Sequence, residues 1–220
     1  STALYNRFRS DVVDVAEPQL WSKEEVWGYM EDAQNMLCRL TWNIRDVSSE
    51  ATRVAVSAGE PFILLHPSVM AIRHATKAST GESIPVYSWE DMVGSNNYPP
   101  FRSREQLNLP GPLKGVIIGM EDGKLRATQV PEADDELELM IERLPLCAPS
   151  ATEALEVRGE HHLALLLWMK HLAYAKQDTE TLNEKRSAEM AAAFVNYCEL
   201  AMTEKRKREH KPRLIAYGGY

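Results

Sequence analysis

Residues 161–177 read HHLALLLWMKHLAYAKQ, and a helix with this sequence has almost no polar side. Leu163, Leu165, Leu166, Leu167, Met169, Leu172 and Ala173 cover most of its circumference. A helix that is apolar nearly all round is a buried one. The segment is therefore expected to be the central helix of a helical core, with other helices packed around it. The loop that follows, QDTETLN at 177–183, is short enough to bring the next helix back antiparallel against it. There Thr181 with Glu184 three residues on has the form of a capping box. Ala188, Ala191, Val195, Cys198 and Met202 then step by three or four, the expected seam of a packed helix.

The N-terminal region supplies the remaining helices. In LYNRFRSDVVDV, 4–15, Leu4, Phe8, Val12 and Val15 lie at helical spacing, and Pro18 ends the segment. Ser22 with Glu25 is another capping box, preceded by Leu20 and Trp21. Val26, Met30, Ala33, Leu37 and Leu40 form one stripe behind it. A four-helix bundle is the simplest way to bury all these stripes.

Between the helical blocks, the sequence is strand-like. RVAV, FILL, VMAIRHAT, GVIIGM, KLRATQV and LELMIERL are short apolar runs separated by turn signals, and most of the 12 prolines fall here. STGE at 79–82 and EDGK at 121–124 read as hairpin turns, in which glycine supplies the positive φ. Leu137, Leu139 and Ile141 alternate with Glu136, Glu138 and Glu142, which predicts one buried face and one acidic wet face. GSNNYPPFRSREQLNLPGP, 94–112, reads as a long loop. The expected fold is thus α+β: a discontinuous four-helix bundle over 1–45 and 150–206, an inserted antiparallel β domain over 46–149, and an extended C-terminal arm over 207–220.

Composition narrows the class. Apolar residues are 44% and charged residues 26% of 220, ordinary for a globular chain. No apolar run reaches the ~20 residues that span a bilayer, so no membrane partner is expected. STALYNRFRS carries charge where a signal peptide would be apolar, so none is expected. Cys38, Cys147 and Cys198 are widely spaced and read as buried free thiols rather than a disulfide or zinc set. The formal charge is −7, but the segment 204–220 carries six Lys/Arg against two Glu, leaving −11 on the rest. An acidic body with a basic tail points to a tail that meets something acidic.

No catalytic pattern emerges: no GxSxG, HExxH, Walker A or GxGxxG is present. Neither catalytic residues nor a cofactor or metal are expected. His161 and His162 point about 100° apart on a helix and cannot share one ion, so they are read as surface histidines at a helix N-terminus. The acidic pairs Glu24-Glu25, Glu31-Asp32 and Asp134-Asp135 read as solvated charge. Trp27 and Trp168 read as packing residues rather than a stacking platform.

The tail, EKRKREHKPRLIAYGGY at 204–220, combines two chemistries. Arg206, Arg208, Lys211 and Arg213 suit an acidic partner, and Leu214, Ile215, Tyr217 and Tyr220 suit apolar anchoring beyond Pro212. A merely solubilising tail would be polar throughout, whereas a segment that orders on binding has this mixture. It reads as a docking arm, or else as the electrostatic footprint of a nucleic-acid-binding protein.

The order of parts resembles the head-to-tail adaptor (connector) proteins of tailed bacteriophages, the tail tubular protein A-like group. The likeness is carried by LWSKEEVWGYMEDAQNMLCRL, FILLHPSVMAIRHATKASTGESIPVYSWEDM and GVIIGMEDGKLRATQVPEADDELELMIERLP. It is carried most specifically by EHHLALLLWMKHLAYAKQDTETLNEKRSAEMAAAFVNYC, and continues into KPRLIAYGGY. The resemblance implies a virion structural protein of the neck, made in the host cytoplasm. It implies a ring homo-oligomer, usually twelve-fold, that joins the portal protein to a tail nozzle or tube protein. The C-terminal arm would dock on the portal, and genomic DNA would pass through the ring without sequence-specific contact. The strand block here is larger than in the simplest helical adaptors, which resemble only the first and third blocks.

Overall fold

The computed structural model describes residues 1–94, 107–177 and 181–209. Among these residues five helices run in chain order: α1 (Thr2–Asp11), α2 (Lys23–Thr41), α3 (Trp89–Gly94), α4 (His162–Ala175) and α5 (Glu184–Glu209). The chain divides into two compact units, Ser1–Asn43 with Pro145–Tyr220, and Ile44–Leu144.

In the first unit α4 packs against α1, α2 and α5, as an apolar helix must. Leu165, Met169 and Ala173 are fully buried. α2 opens on the Ser22–Glu25 capping box: the Glu25 amide donates to Ser22 Oγ (3.1 Å), and the Ser22 amide donates to the Glu25 carboxylate (2.6 Å). Val26, Met30, Ala33 and Leu37 face inward, whereas Leu40 is 38% exposed. The expected four-helix bundle does not form. α2, α4 and α5 pack on one another, and α1 is a ten-residue helix laid on α4 that reaches α2 through ring contacts.

The shortness of α1 has a local cause. Val13 takes a left-handed conformation (φ 59°), so the helix cannot continue. Asp14, rather than the expected Val12 and Val15, turns inward and pairs with buried Arg9. Arg9 also donates to the Trp21 carbonyl (2.7 Å), and the Leu20 amide donates to Asp14 (2.7 Å). Val15 is left 70% exposed. Aromatic packing completes the corner: Phe8 meets Trp21 edge-on at 6.1 Å, Tyr5 stacks on Trp27 at 5.1 Å, and Trp21 Nε1 donates to the Ala173 carbonyl.

The second unit holds β1 (Ile44–Asp46), β2 (Arg53–Val56), β3 (Phe62–Leu64), β4 (Val69–Lys77), β5 (Ser83–Ile84), β6 (Val86–Ser88), β7 (Pro110–Gly111), β8 (Val116–Ile118), β9 (Lys124–Ala127), β10 (Val130–Pro131) and β11 (Asp135–Arg143). β11 is the central strand of the largest sheet, with β4 and β5 on one side and β1 and β2 on the other. A second sheet has the order β3-β9-β8-β6, and β7 pairs with β10. Glycines at positive φ close both expected hairpins, Gly81 (68°) between β4 and β5 and Gly123 (70°) between β8 and β9.

The domain is not the antiparallel one expected. β6 pairs with β8, and β7 with β10, in parallel. α3 and a long connection separate β6 from β8, which gives the chain room for the crossover that parallel pairing requires. Part of the long loop expected at 94–112 is also strand, since β7 lies within it; residues 95–106 of that loop lie outside the described residues.

Candidate functional site

The last turn of α5 gathers the charges that the sequence singles out. α5 begins after Asn183, whose side chain accepts from the Arg186 amide (3.0 Å). Thr181, the expected cap, instead donates to the Lys176 carbonyl (3.3 Å). Ser187, Phe194, Cys198 and Ala201 are buried, with the Trp168 ring 5.2 Å from Phe194. Of the expected seam, Cys198 is buried but Val195 is 40% exposed, so the helix is rotated from the anticipated phase. Leu200 is 66% exposed on the outward side.

The helix continues through Glu209, and Arg206 and Arg208 belong to it. Lys211, Pro212, Arg213, Leu214, Ile215, Tyr217 and Tyr220, the rest of the expected docking arm, lie outside the described residues. Two cations of the final turns are directed into the unit itself. Lys205 Nζ donates to the Trp42 carbonyl and lies 3.5 Å from that of Thr41, so a positive charge meets the negative end of α2. Arg208 donates through both terminal nitrogens to Glu160 Oε1, each at 3.2 Å. Arg206 and Lys207 are exposed.

Glu160 lies in the 3₁₀ turn Gly159–His161 that leads into α4. Its carboxyl is held below the usual range, first by the hydrogen bonds from Arg208. Beside it His161 is only 3% exposed and 2.9 Å from the Tyr197 hydroxyl, which itself donates to the Glu160 carbonyl (3.2 Å). Burial pushes the His161 pKa down, against the pull of Glu160. Burial, then Glu160, pushes the Tyr197 pKa up. The pair of surface histidines expected from sequence is therefore corrected: His161 is buried and tied to α5, and His162 bonds the Val157 carbonyl (3.0 Å). Sequence reasoning missed Glu160 as the partner of Arg208, and His161 and Tyr197 beside it. The only signal was an acid just before a helix start, which says nothing of an arginine 48 residues away.

Other chemistry-bearing groups serve packing. His171 Nδ1 lies 2.8 Å from Ser187 Oγ, which donates to the His171 carbonyl (3.0 Å). That leaves the hydroxyl oxygen to accept from the ring, and the pair ties α4 to α5 beside a groove of about 700 Å³. Cys38 and Cys198 are buried, the latter with its thiol pushed up to about 12 by desolvation. Cys147 is exposed, contrary to the expectation of three buried thiols. No group of three His, Cys, Asp or Glu side chains that could hold a metal ion is found among the described residues.

In the second unit Glu142 is corrected from wet to fully buried. The β11–β4 ladder shifts register between Met140 and Ile141 and again after Glu142, which breaks the strict alternation. Glu142 accepts from Arg45 (3.1 Å) and Arg73 (2.8 Å), two half-exposed guanidiniums. Next to it Asp46 accepts from Arg143 (2.5 Å) and from the amides of Ser48 (2.9 Å) and Ser49 (3.1 Å). Burial opposes the Asp46 charge, but the donors of Ser49, Ser48 and Arg143 together outweigh it and hold the carboxyl well below its ordinary range. No helix among the described residues is long and apolar enough to cross a membrane. No family model matches the chain, and no curated protein matches it.

Proposed function

We propose that the protein is a structural component of a tailed-bacteriophage virion, a head-to-tail adaptor whose copies form a ring between portal and tail. The observation that carries the reading is the character of α5. This 26-residue helix buries one narrow seam and leaves Val195 and Leu200 outward, then ends in a basic turn mounted on Glu160 and the end of α2. In a ring, the outward apolar residues would lie between neighbouring copies. The arm that follows Glu209 would meet an acidic portal surface through Lys211 and Arg213 and anchor through Leu214, Ile215, Tyr217 and Tyr220. The acidic remainder of the chain suits a channel along which DNA slides, because a basic wall would hold the phosphates.

Native mass measurement of the full chain, alone and mixed with portal protein, tests this. The expected result is a ring on the portal that is lost when residues 210–220 are deleted, with the helical content unchanged. Portal binding that survives the deletion would remove the arm from the mechanism. Tight binding of free duplex DNA, falling steeply with salt, would instead favour the nucleic-acid reading of the basic segment.

A further inference from the structure

Two unusual features meet where the chain leaves the first unit. Trp42 ends α2 in the left-handed region (φ 52°, ψ 46°), a position normally given to glycine because a Cβ is strained there. The next residue, Asn43, has a buried side-chain oxygen with no hydrogen-bond partner. One residue later the chain enters the second unit at Ile44. A strained backbone beside an unsatisfied polar atom persists only where neighbours over-determine it. Here one of those neighbours comes from the far end of the chain: Lys205 on α5 donates to the Trp42 carbonyl and reaches that of Thr41.

We propose that Trp42–Asn43 is a strained joint that the last turn of α5 keeps locked. Lys205 draws the Trp42 carbonyl toward α5 and stabilises the left-handed cap, and Arg208 on Glu160 keeps that turn of α5 in place. When the turn is drawn away, Trp42 returns to the ordinary backbone region and Asn43 turns to find a partner. Lys205 is thus a positioning residue. The inference does not depend on the adaptor reading, since every group in it lies within one unit of the free chain.

Amide hydrogen exchange on the full-length protein tests the lock. Lys205→Met is expected to speed exchange across residues 41–46 by roughly 10-fold or more, while the buried stretches of α4 and α5 keep wild-type rates. Lys205→Arg restores protection. Glycine accepts the left-handed region without strain, so in a Trp42→Gly background Lys205→Met should have little further effect on this segment. Wild-type exchange at 41–46 in Lys205→Met would overturn the proposal. An effect of undiminished size in the glycine background would do the same, because the lysine would then be acting elsewhere than on the strained cap. A general rise in exchange through α4 and α5 would also count against it, as loss of stability rather than release of a joint.

Discussion

Two of the arginine–carboxylate pairs in the first unit, Arg9–Asp14 and Arg208–Glu160, have the same chemistry and opposite settings. Arg9 and Asp14 have side chains only 5% and 2% exposed, whereas Arg208 and Glu160 are 46% and 49% exposed. A buried pair has lost its water, so breaking it strands a charge in a low-dielectric site. An exposed pair gives up little hydration and gains little. The first therefore fixes the corner at Val13–Trp21 permanently. The second positions the end of α5 while leaving it easy to detach, as the proposed docking role of the segment beyond it would require.

The largest test of this contrast is Asp14→Ala, which leaves Arg9 buried without its counter-charge. It is expected to cost about 3–5 kcal/mol in urea unfolding. Arg9→Met with Asp14→Leu should recover much of that, and a double variant as unstable as Asp14→Ala would mean the pair contributes more than its own desolvation.

Asp46 in the second unit is also buried, but its carboxylate accepts from two amides as well as from Arg143. Asp46→Asn should cost about 1.5–3 kcal/mol at neutral pH. Because folding depresses the Asp46 pKa, its contribution is complete above the ordinary carboxylate range and is lost as pH falls through and below it. Wild type should thus lose stability on acidification from about pH 5 to pH 3 more steeply than Asp46→Asn, as read by urea midpoints. Parallel curves would remove Asp46 from the acid response.

The smallest effect belongs to Glu160→Gln. The melting temperature should stay where it is, while the final turn of α5 exchanges its amides faster at low salt. Screening should erase the difference between variant and wild type at high salt. A clear drop in melting temperature would mean that the exposed pair resembles the buried one after all.

Much of the framework was legible in the sequence, because local rules governed it. The Ser22–Glu25 cap, the Gly81 and Gly123 turns and the burial of Leu165, Leu166, Met169 and Ala173 follow from positions within a few residues of one another, although Leu163 is 57% exposed and α4 is not covered all round as expected. What stayed hidden depended on distant partners. Asp14 occupies the inward position because Arg9 neutralises it, and Glu142 is buried because two arginines from other strands reach it. α5 is rich in alanine, so its periodicity has little contrast, and the bulk of Phe194 decides which side faces α4. The parallel pairings needed knowledge of which strands meet across long connections. Of the candidate site, the basic residues were visible as charge, but the contacts of Lys205 with the end of α2 and of Arg208 with Glu160 were not. No spacing rule links Glu160 or the end of α2 to the tail.

The division of the chain also sets a timetable for its synthesis. The strand unit is continuous in sequence, whereas α2 must wait for α4, whose first residue is made 121 residues after Thr41. At about 5–20 residues per second that interval lasts roughly 6–24 s. Through it Val26, Met30 and Leu37 have none of their final neighbours on α4 and α5, while Ile44–Leu144 emerges whole and can fold first. The nascent chain thus carries an uncovered apolar stripe beside a folding β unit, so a chaperone that shields short amphipathic helices would act on α2 before the last helix has been translated.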